Sequence, residues 1–221
     1  MPQRPELMVG FVAPAGVNVR HLCDETKKVF NEFNYKAVEI RLSLLLERAT
    51  GWTSPSSGSE DKRISHLQRM GHDFRETLRT PAALALATSA AIREQRSKIS
   101  GSPDLPADGV VYLLNQLKHP SEVRFFRKVY GSSFVLIAAH ATKNTRESNL
   151  VRLITDSENR GTQPADLARA QEVIRTDEEE VGIIGTDEFG QNTRNTYPLA
   201  DLFVDLEQEK NVASEIRRFL D

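Results

Sequence analysis

The residues that could do chemistry lie first of all in a turn near the start of the chain. In LMVGFVAPAGVNVRHL, residues 7–22, an apolar run stops at a Pro/Gly turn and an amphipathic segment follows. A phosphate-binding loop of the form GxxxxGK[ST] occupies such a position: its backbone N–H groups cradle phosphates, its lysine reaches them, and its hydroxyl holds Mg²⁺. The candidate anion-binding positions are Ala13, Pro14, Ala15, Gly16, Val17, Asn18, Val19 and Arg20.

This turn differs from a phosphate-binding loop at the two positions whose side chains do the chemistry. Val19 stands at the lysine and Arg20 at the hydroxyl, so only Gly16 and the strand-to-helix context match. In the later apolar strand VVYLLNQL, Asn115 stands where many kinases of this type carry a carboxylate, which holds Mg²⁺ better than an amide. These losses argue against phosphoryl transfer, although a helix N-terminus can still bind an anion. A plain tight turn explains the local sequence equally well.

Four further residues could contact an anion in the same cleft. Arg75 and Arg79 stand four residues apart in a predicted helix, so both would face one way and suit a phosphate or carboxylate. Lys118 and His119 sit just beyond the strand predicted over residues 110–117. In both cases the alternative is a solvated surface, with intrahelical ion pairs in the case of the arginines.

A polar stretch before the last strand is a candidate binding loop or interface. EFGQNTRNTYPLAD, residues 188–201, is dense in hydrogen-bonding side chains, and a plain turn would be shorter. Gln191 and Arg194 are its candidate ligand contacts. Five arginines precede it, and pairing with the acidic run TDEEE is their simplest interpretation: Arg146, Arg152, Arg160, Arg169 and Arg175.

Metal and nucleophile chemistry finds little support. The five histidines form no HxxxH pair, and one cysteine cannot build a cysteine-rich zinc site or an internal disulfide. Cys23 falls on the apolar stripe of a predicted helix, which is more typical of core than of a nucleophile. We therefore assign no metal ligand and no catalytic residue.

Composition restricts the classes of function further. The chain has 221 residues, 39% hydrophobic and 27% charged, with a formal net charge of -2. These values are ordinary for a globular protein and give no general attraction to polyanions. No apolar run approaches ~18 residues and no signal pattern opens the chain, so we expect a cytoplasmic protein without membrane association.

The elements that must position the candidate residues alternate between strands and helices. Strands are predicted over residues 6–13, 35–42, 110–117, 133–139 and in DLFVDL, with a helix over 17–33 after the first. A βαβ opening implies a parallel sheet. The predicted fold class is a three-layer α/β domain with a mostly parallel five-stranded sheet flanked by helices, and ligands should gather at the carboxyl ends of its strands.

The rest of the chain is predicted to be helical or irregular within one domain, residues 1–221. Residues 49–61 are rich in Ser, Gly and Pro and are predicted to form a mobile loop. A helical region follows over 62–99, with Pro81 at the N-terminus of its second half. About 142–181 we expect two polar helices that form a lid and lack a strong apolar face.

Several segments together show a resemblance that goes beyond fold. ELMVGFVAPAGVNV, YKAVEIRLSLLL, NQLKHPSEV and GQNTRNTYPLADLFVD occur in this order, and the last two are the most specific. Nearly the whole chain resembles the N-terminal P-loop NTPase, nucleotide-kinase-like domain of bacterial anti-phage deoxycytidylate deaminases. In that family a zinc-dependent deaminase domain follows, carrying HxE and PCxxC motifs, and phage defence works by depleting deoxycytidine nucleotides. Neither motif is present in these residues, so the deaminase domain would follow residue 221.

The resemblance and the altered loop together predict a regulatory and assembly module. It would bind a nucleotide weakly, ATP or a dNTP, or another phosphate ligand, and would have no deaminase chemistry of its own. Its expected partners are a deaminase domain in cis or in trans, a second copy of the chain, and a regulatory RNA; zinc would belong to the deaminase domain alone. Two alternatives stay open: an active nucleotide or small-molecule kinase with unorthodox residues, and an RNA- or protein-interaction scaffold.

Overall fold

The strands form one parallel sheet. The computed structural model describes residues 4–52, 58–179 and 189–221. In these ranges five strands are present: β1 (Leu7–Val12), β2 (Lys36–Arg41), β3 (Val110–Asn115), β4 (Phe134–His140) and β5 (Leu202–Asp205). Their order is β2-β3-β1-β4-β5, and every neighbouring pair is parallel. The predicted α/β class with a five-stranded sheet is confirmed, and the sheet is wholly parallel.

Helices cover both faces of this sheet. Their bounds are α1 (Val19–Glu32), α2 (Leu42–Thr50), α3 (Glu60–Thr77), α4 (Ala83–Ser100), α5 (Pro120–Tyr130), α6 (Lys143–Ser157), α7 (Pro164–Glu179), α8 (Thr193–Thr196) and α9 (Val212–Leu220). Single 3₁₀ turns occupy Gly131–Ser133 and Tyr197–Leu199, and a longer one occupies Leu206–Asn211. Within the described ranges, these helices are too short or too polar to cross a membrane.

The first strand lies at the centre of the sheet and is paired on both sides. Leu7 stands opposite Val111 of β3, and Met8 stands opposite Phe134 of β4. Each partner is therefore more than a hundred residues further along the chain. Because both faces of β1 are covered by helices, its side chains are apolar at nearly every position, as buried parallel strands require.

Two apolar clusters, one on each face of the sheet, form the core. Met8 and Tyr112 belong to the cluster under α2, α3, α4 and α5. Phe11, Leu113 and Cys23 belong to the cluster under α1 and α9. Two covered faces make the three layers that the sequence predicts.

The cysteine is part of this core. Cys23 is 1% exposed on the inner face of α1. Its burial, reinforced by the nearby Glu39 carboxylate, raises the pKa of the thiol to about 12. The thiolate, which is the nucleophilic form, is therefore scarce at neutral pH.

Alkylation should report this burial directly. At pH 8 we expect iodoacetamide to label Cys23 on the order of 100-fold more slowly in the folded protein than in urea, because both access and thiolate are lacking. Mass spectrometry of quenched samples measures the two rates, and the single cysteine makes the signal unambiguous. Equal rates in both conditions would show that the thiol is reachable and that α1 does not pack as described.

Three boundaries differ from the sequence prediction. The helix α2 follows β2 without a loop, and no helix is predicted there; its buried side chains are Leu42 and Leu46, one turn apart. The helix α4 begins at Ala83, so Pro81 precedes it instead of starting it. The predicted 49–61 loop is shortened at both ends by α2 and α3, and residues 53–57 within it lie outside the described residues.

The two helices predicted to form a lid, α6 and α7, pack against each other. A small cluster of buried side chains joins α6 to α7: Leu150, Ile154, Ala170, Val173 and Ile174. Each helix shows only a narrow apolar stripe, and the two stripes together bury enough surface to hold the pair. The lid region is therefore a packed helical hairpin beside the sheet.

Ion pairs attach this hairpin to α3. Arg169 of α7 donates to Asp61 of α3 at 2.7 Å and to Glu158 at 2.8 Å. The hydrogen bond from Arg169 lowers the pKa of Glu158 to about 2. Arg160 bonds Asp166 through both terminal nitrogens at 2.7 Å and lowers its pKa well below the usual range. Arg160 and Arg169 thus form ion pairs within the chain, but with carboxylates outside the acidic run TDEEE; Arg146 pairs with Glu178 of that run.

Candidate functional site

A cleft opens at the carboxyl ends of β1 and β3. Its cavity measures about 290 Å³. The wall is formed by the β1–α1 turn, the start of α2, one side of α3, the segment after β3, and parts of α6 and α7. Ligands of parallel α/β sheets gather at this edge, where turns and helix N-termini converge. This cleft is the candidate functional site.

The β1–α1 turn is tight and caps its own helix. The carbonyl of Pro14 accepts from the Val17 amide at 3.2 Å, and Gly16 has φ +87°. Asn18 is the N-cap of α1, and its Oδ1 accepts from the His21 amide at 3.2 Å. The next two predicted contacts do not point to the cleft: Val19 packs in the core and Arg20 is exposed.

A carboxylate of the chain itself occupies the anion position of this turn. The Oδ2 atom of Asp177 in α7 accepts from the Ala15 amide at 2.8 Å. The Nζ atom of Lys118 donates to Asp177 Oδ1 at 2.8 Å and to the Ala13 carbonyl at 2.9 Å. The Asp177 side chain is 1% exposed. A backbone N–H and an ammonium group therefore converge on one buried anionic group, 162 residues from the turn in sequence.

The helix α6 holds the turn from the other side. Asn149 donates from Nδ2 to the Gly16 carbonyl at 3.0 Å, and Arg146 donates to Glu178 at 2.8 Å. A Cβ atom on Gly16 would lie 2.5 Å from the Arg146 carbonyl oxygen. Only glycine fits between the turn and α6, and its positive φ suits glycine as well.

Below the cleft lies a buried ion pair that fixes the position of Lys118. Arg75 of α3 and Glu122 of α5 are 1% and 0% exposed, and Arg75 Nη2 donates to Glu122 Oε1 at 3.0 Å. The other oxygen of Glu122 accepts from the amides of Lys118 at 2.8 Å and His119 at 3.1 Å. The arginine predicted to bind an external anion thus binds an internal one, although it also lines the cleft.

The expectation that Arg75 and Arg79 share one helix face is wrong. The helix α3 ends at Thr77, and Arg79 has φ +50° beyond it, so helical spacing does not apply to the pair. His119 is buried as the N-cap of α5, where its Nδ1 accepts from the Ser121 amide. Of the last two candidates, Gln191 lines the cleft and Arg194 is exposed on α8.

The amide at the end of β3 faces a carboxylate. Asn115 lines the cleft and donates from Nδ2 to Glu39 Oε1 at 3.2 Å. Lys27 donates to the other oxygen of Glu39 at 2.8 Å. Burial alone would raise the pKa of Glu39, but the hydrogen bonds from Lys27 and Asn115 outweigh it and the pKa is lowered. Glu39 is thus ionised at neutral pH and already has a cation beside it.

Two cleft residues that the sequence analysis does not single out are Gln68 and Asp177. Gln68 is 3% exposed on α3 and lines the cleft, and neither its Nε2 nor its Oε1 finds a hydrogen-bond partner within the described ranges. The same holds for the Nε atom of Arg75. A glutamine on the buried stripe of an amphipathic helix is the signal that could have found Gln68. Asp177 looks like any other acidic residue of its run.

One grouping of metal-binding side chains occurs on the outer side of α3. Across the described ranges, His72, Asp73 and Glu76 are the three that bring ligand atoms within 4.8 Å of one another. Asp73 and Glu76 are exposed. Exposed acidic groups of this kind are common without a metal, so we assign no site to them, and the absence of a metal centre stays a prediction.

Comparisons with known proteins find distantly similar solved structures. No family model matches the chain, and no curated protein does so either. A gluconokinase structure from Sinorhizobium meliloti 1021 is similar at 11% identity and a TM-score of 0.44, covering 98% of this chain and 94% of that one. A structure provisionally described as a fructose transport system kinase, from Silicibacter sp. TM1040, has 16% identity, a TM-score of 0.43 and coverage of 92% and 91%.

The third solved structure is a protein from Eubacterium ventriosum ATCC 27560. It has 8% identity, a TM-score of 0.48 and coverage of 97% and 98%. Similarities of this degree carry no inference about what this chain binds or does. The class that the sheet order and the cleft define is a three-layer α/β protein with a wholly parallel five-stranded sheet and a cleft at the carboxyl ends of its strands.

Proposed function

We propose that the protein is a nucleotide- or phosphate-binding regulatory module without phosphoryl-transfer activity. The observation that supports this function is the Asp177 carboxylate, which accepts from the Ala15 amide and from the Lys118 ammonium. A phosphate oxygen needs the same two donors, a backbone N–H and a cation. The turn is therefore a preformed anion site that an internal anion fills.

Ligand binding at this site would be coupled to α7. A phosphate that takes the two donors displaces Asp177, and the carboxylate is carried by the helix that packs on α3 and α6. A ligand shifts a conformational equilibrium by as much as its affinities for the two states differ. The proposed regulatory output is a change in the position of α7 relative to the turn.

The same cleft is poorly equipped for catalysis. Val19 packs in the core at the position of the loop lysine, and Asn115 offers an amide where a Mg²⁺-binding carboxylate would stand. Phosphoryl transfer depends on Mg²⁺ and on cations placed around the γ-phosphate. The kinase alternative requires ADP release that depends on Mg²⁺, and we expect none above the rate in buffer.

The partner that this module would regulate is a deaminase domain. The resemblance to anti-phage deoxycytidylate deaminases supports this part of the proposal, and a deoxycytidine nucleotide would then be the ligand of biological interest. Such a domain needs zinc held by His/Cys/Cys or by three cysteines, and the single cysteine of this sequence cannot form either set. Assembly in cis or in trans, a second copy of the chain, and a regulatory RNA remain predictions.

Charge substitutions at the anion position provide the test. We expect Asp177→Asn to tighten tripolyphosphate binding about tenfold, because the competing charge is removed while the side-chain shape is kept. Lys118→Met should weaken the same binding by about tenfold or more, because a charge-assisted donor is lost. Isothermal titration calorimetry of each purified variant with tripolyphosphate, and separately with ATP, measures both changes.

Lys128→Met is the matched control. Lys128 is exposed on α5, the helix that follows Lys118, so this variant removes an identical charge away from the cleft and should bind like the wild type. Equal tripolyphosphate affinity in all four proteins would reject the anion site at the turn. If Lys128→Met loses as much affinity as Lys118→Met, the binding is general charge attraction and not a specific site.

A further inference from the structure

The inner part of the cleft contains a polar group that the protein does not satisfy. The side-chain amide of Gln68 is buried, and both its donor and its acceptor lack partners across the described residues. Buried polar side-chain atoms are paired in the large majority of cases, and an unpaired one costs free energy. The side chain lines an open cleft, so a bound molecule can supply both missing hydrogen bonds.

Part of the wall of the cleft that Gln68 lines is apolar and suits a flat ring. Leucines of α2, α3 and α4 line the same cleft: Leu42, Leu46, Leu67 and Leu84. A planar heterocycle buries its faces against apolar side chains and presents its hydrogen-bonding groups only at its edge.

The chemistry of a carboxamide narrows the ligand class. One donor and one acceptor, side by side in a plane, match the edge of a nucleobase, and glutamine binds adenine in this bidentate way in other proteins. The side-chain amide of Gln68 can rotate by 180°, which exchanges its oxygen and nitrogen. A nucleobase edge with its donor and acceptor in either order therefore fits. We propose that Gln68 is the base-recognition residue of a nucleoside site in the inner cleft, an inference that rests on and deepens the proposed function.

The position of Gly71 provides an independent argument for this site. Gln68, Gly71 and Arg75 lie on one face of α3, at spacings of three and four residues, and all three line the cleft. Glycine in a helix interior is unfavourable relative to alanine. A Cβ atom at Gly71 would meet Arg75 Nη1 at 3.6 Å and Leu46 at 3.9 Å, which are ordinary contacts. Internal packing therefore does not demand glycine, whereas a ligand lying close to this face does.

Nucleosides without phosphate test this site apart from the turn. Adenosine, cytidine, guanosine and uridine are titrated calorimetrically into the full chain, and tripolyphosphate is titrated in parallel. We expect at least one nucleoside to bind, and Gln68→Leu to weaken that binding by about tenfold or more while tripolyphosphate affinity is unchanged. The melting temperature of Gln68→Leu should not fall, because an unsatisfied amide is replaced by an apolar group of similar size.

Gly71→Ala should change nucleoside affinity and protein stability in opposite directions. The new methyl group narrows the cleft, so nucleoside binding weakens by about tenfold, while the melting temperature rises by about 1–4 °C through the better helix propensity. The control is Arg69→Leu, one residue from Gln68 on the exposed side of α3, which should leave nucleoside affinity unchanged.

The outcomes distinguish this proposal from the proposed function. Tripolyphosphate binding without any nucleoside binding overturns the base site and leaves the anion site standing. Nucleoside binding that Gln68→Leu does not weaken overturns the assignment of Gln68. A marked drop in the melting temperature of Gln68→Leu also overturns it, because the amide would then be satisfied within the protein. Nucleoside binding without tripolyphosphate binding supports the base site and rejects the anion site at the turn.

Discussion

Arg75→Met is expected to lower the free energy of unfolding by roughly 3–5 kcal/mol. The change leaves the Glu122 carboxylate, which is 0% exposed, with two backbone amides and no cation. Glu122→Gln should destabilise by a comparable amount, because it leaves a buried guanidinium without its countercharge and weakens the hold on the Lys118 amide. Urea unfolding followed by circular dichroism measures each value.

The double variant shows whether the effect belongs to the pair. Arg75→Met with Glu122→Gln removes both charges, so its loss should be clearly smaller than the sum of the two single losses. Arg217→Met is the surface control, since its pair with Glu32 is exposed to solvent and its loss should lower stability far less than Arg75→Met does. Additive losses, or a single loss no larger than that of Arg217→Met, would contradict the role of this ion pair.

Gly16→Ala is expected to cost roughly 2–5 kcal/mol in stability. Part of the cost comes from the positive φ of +87°, which side chains with a Cβ tolerate poorly, at about 1–2 kcal/mol. The rest comes from overlap with α6, where the new Cβ would lie 2.5 Å from the Arg146 carbonyl oxygen and 2.8 Å from its Cβ. Neither atom can swing aside, so the turn and α6 must separate, at a cost typical of overpacking, about 1–3 kcal/mol.

Gly101→Ala isolates the first part of this cost. Gly101 has φ +77° at the end of α4, and a Cβ atom added there would have no other atom within 4 Å among the described residues. Thermal and urea unfolding measure both variants. Gly101→Ala gives the stability cost of the positive φ alone, and Gly16→Ala gives the cost of the positive φ together with the overlap. If Gly16→Ala loses no more stability than Gly101→Ala, the turn does not pack against α6 as closely as the structure has it.

Much of the fold could be predicted from local sequence signals. Pro120 at the first position of α5 and Gly131 just past its end place that helix correctly, because each acts through the conformation of its own residue. The continuous apolar runs of β1 and β3 predict strands buried on both faces. The helix α2 went unpredicted because its leucines directly continue the strand pattern of β2, and no turn residue separates the two elements.

The site was harder to predict because its partners are remote. Asp177 meets Ala15 across 162 residues, and its exposed neighbour Glu178 belongs to the same acidic run. Only the angular position of Asp177 on α7 turns it inward, and that position depends on how the hairpin packs. Likewise Arg75 lies within α3 and Arg79 lies beyond its end at Thr77. No capping residue in the sequence indicates this helix end.

The parallel register has a consequence for the protein during its synthesis. The central strand β1 is translated first, yet its partners β3 and β4 follow more than a hundred residues later. At about 5–20 residues per second, an apolar strand then waits on the order of 10 s without a sheet to join. Nascent chains that are stalled before β4 emerges therefore present an unpaired hydrophobic edge, the kind of segment that chaperones protect from aggregation.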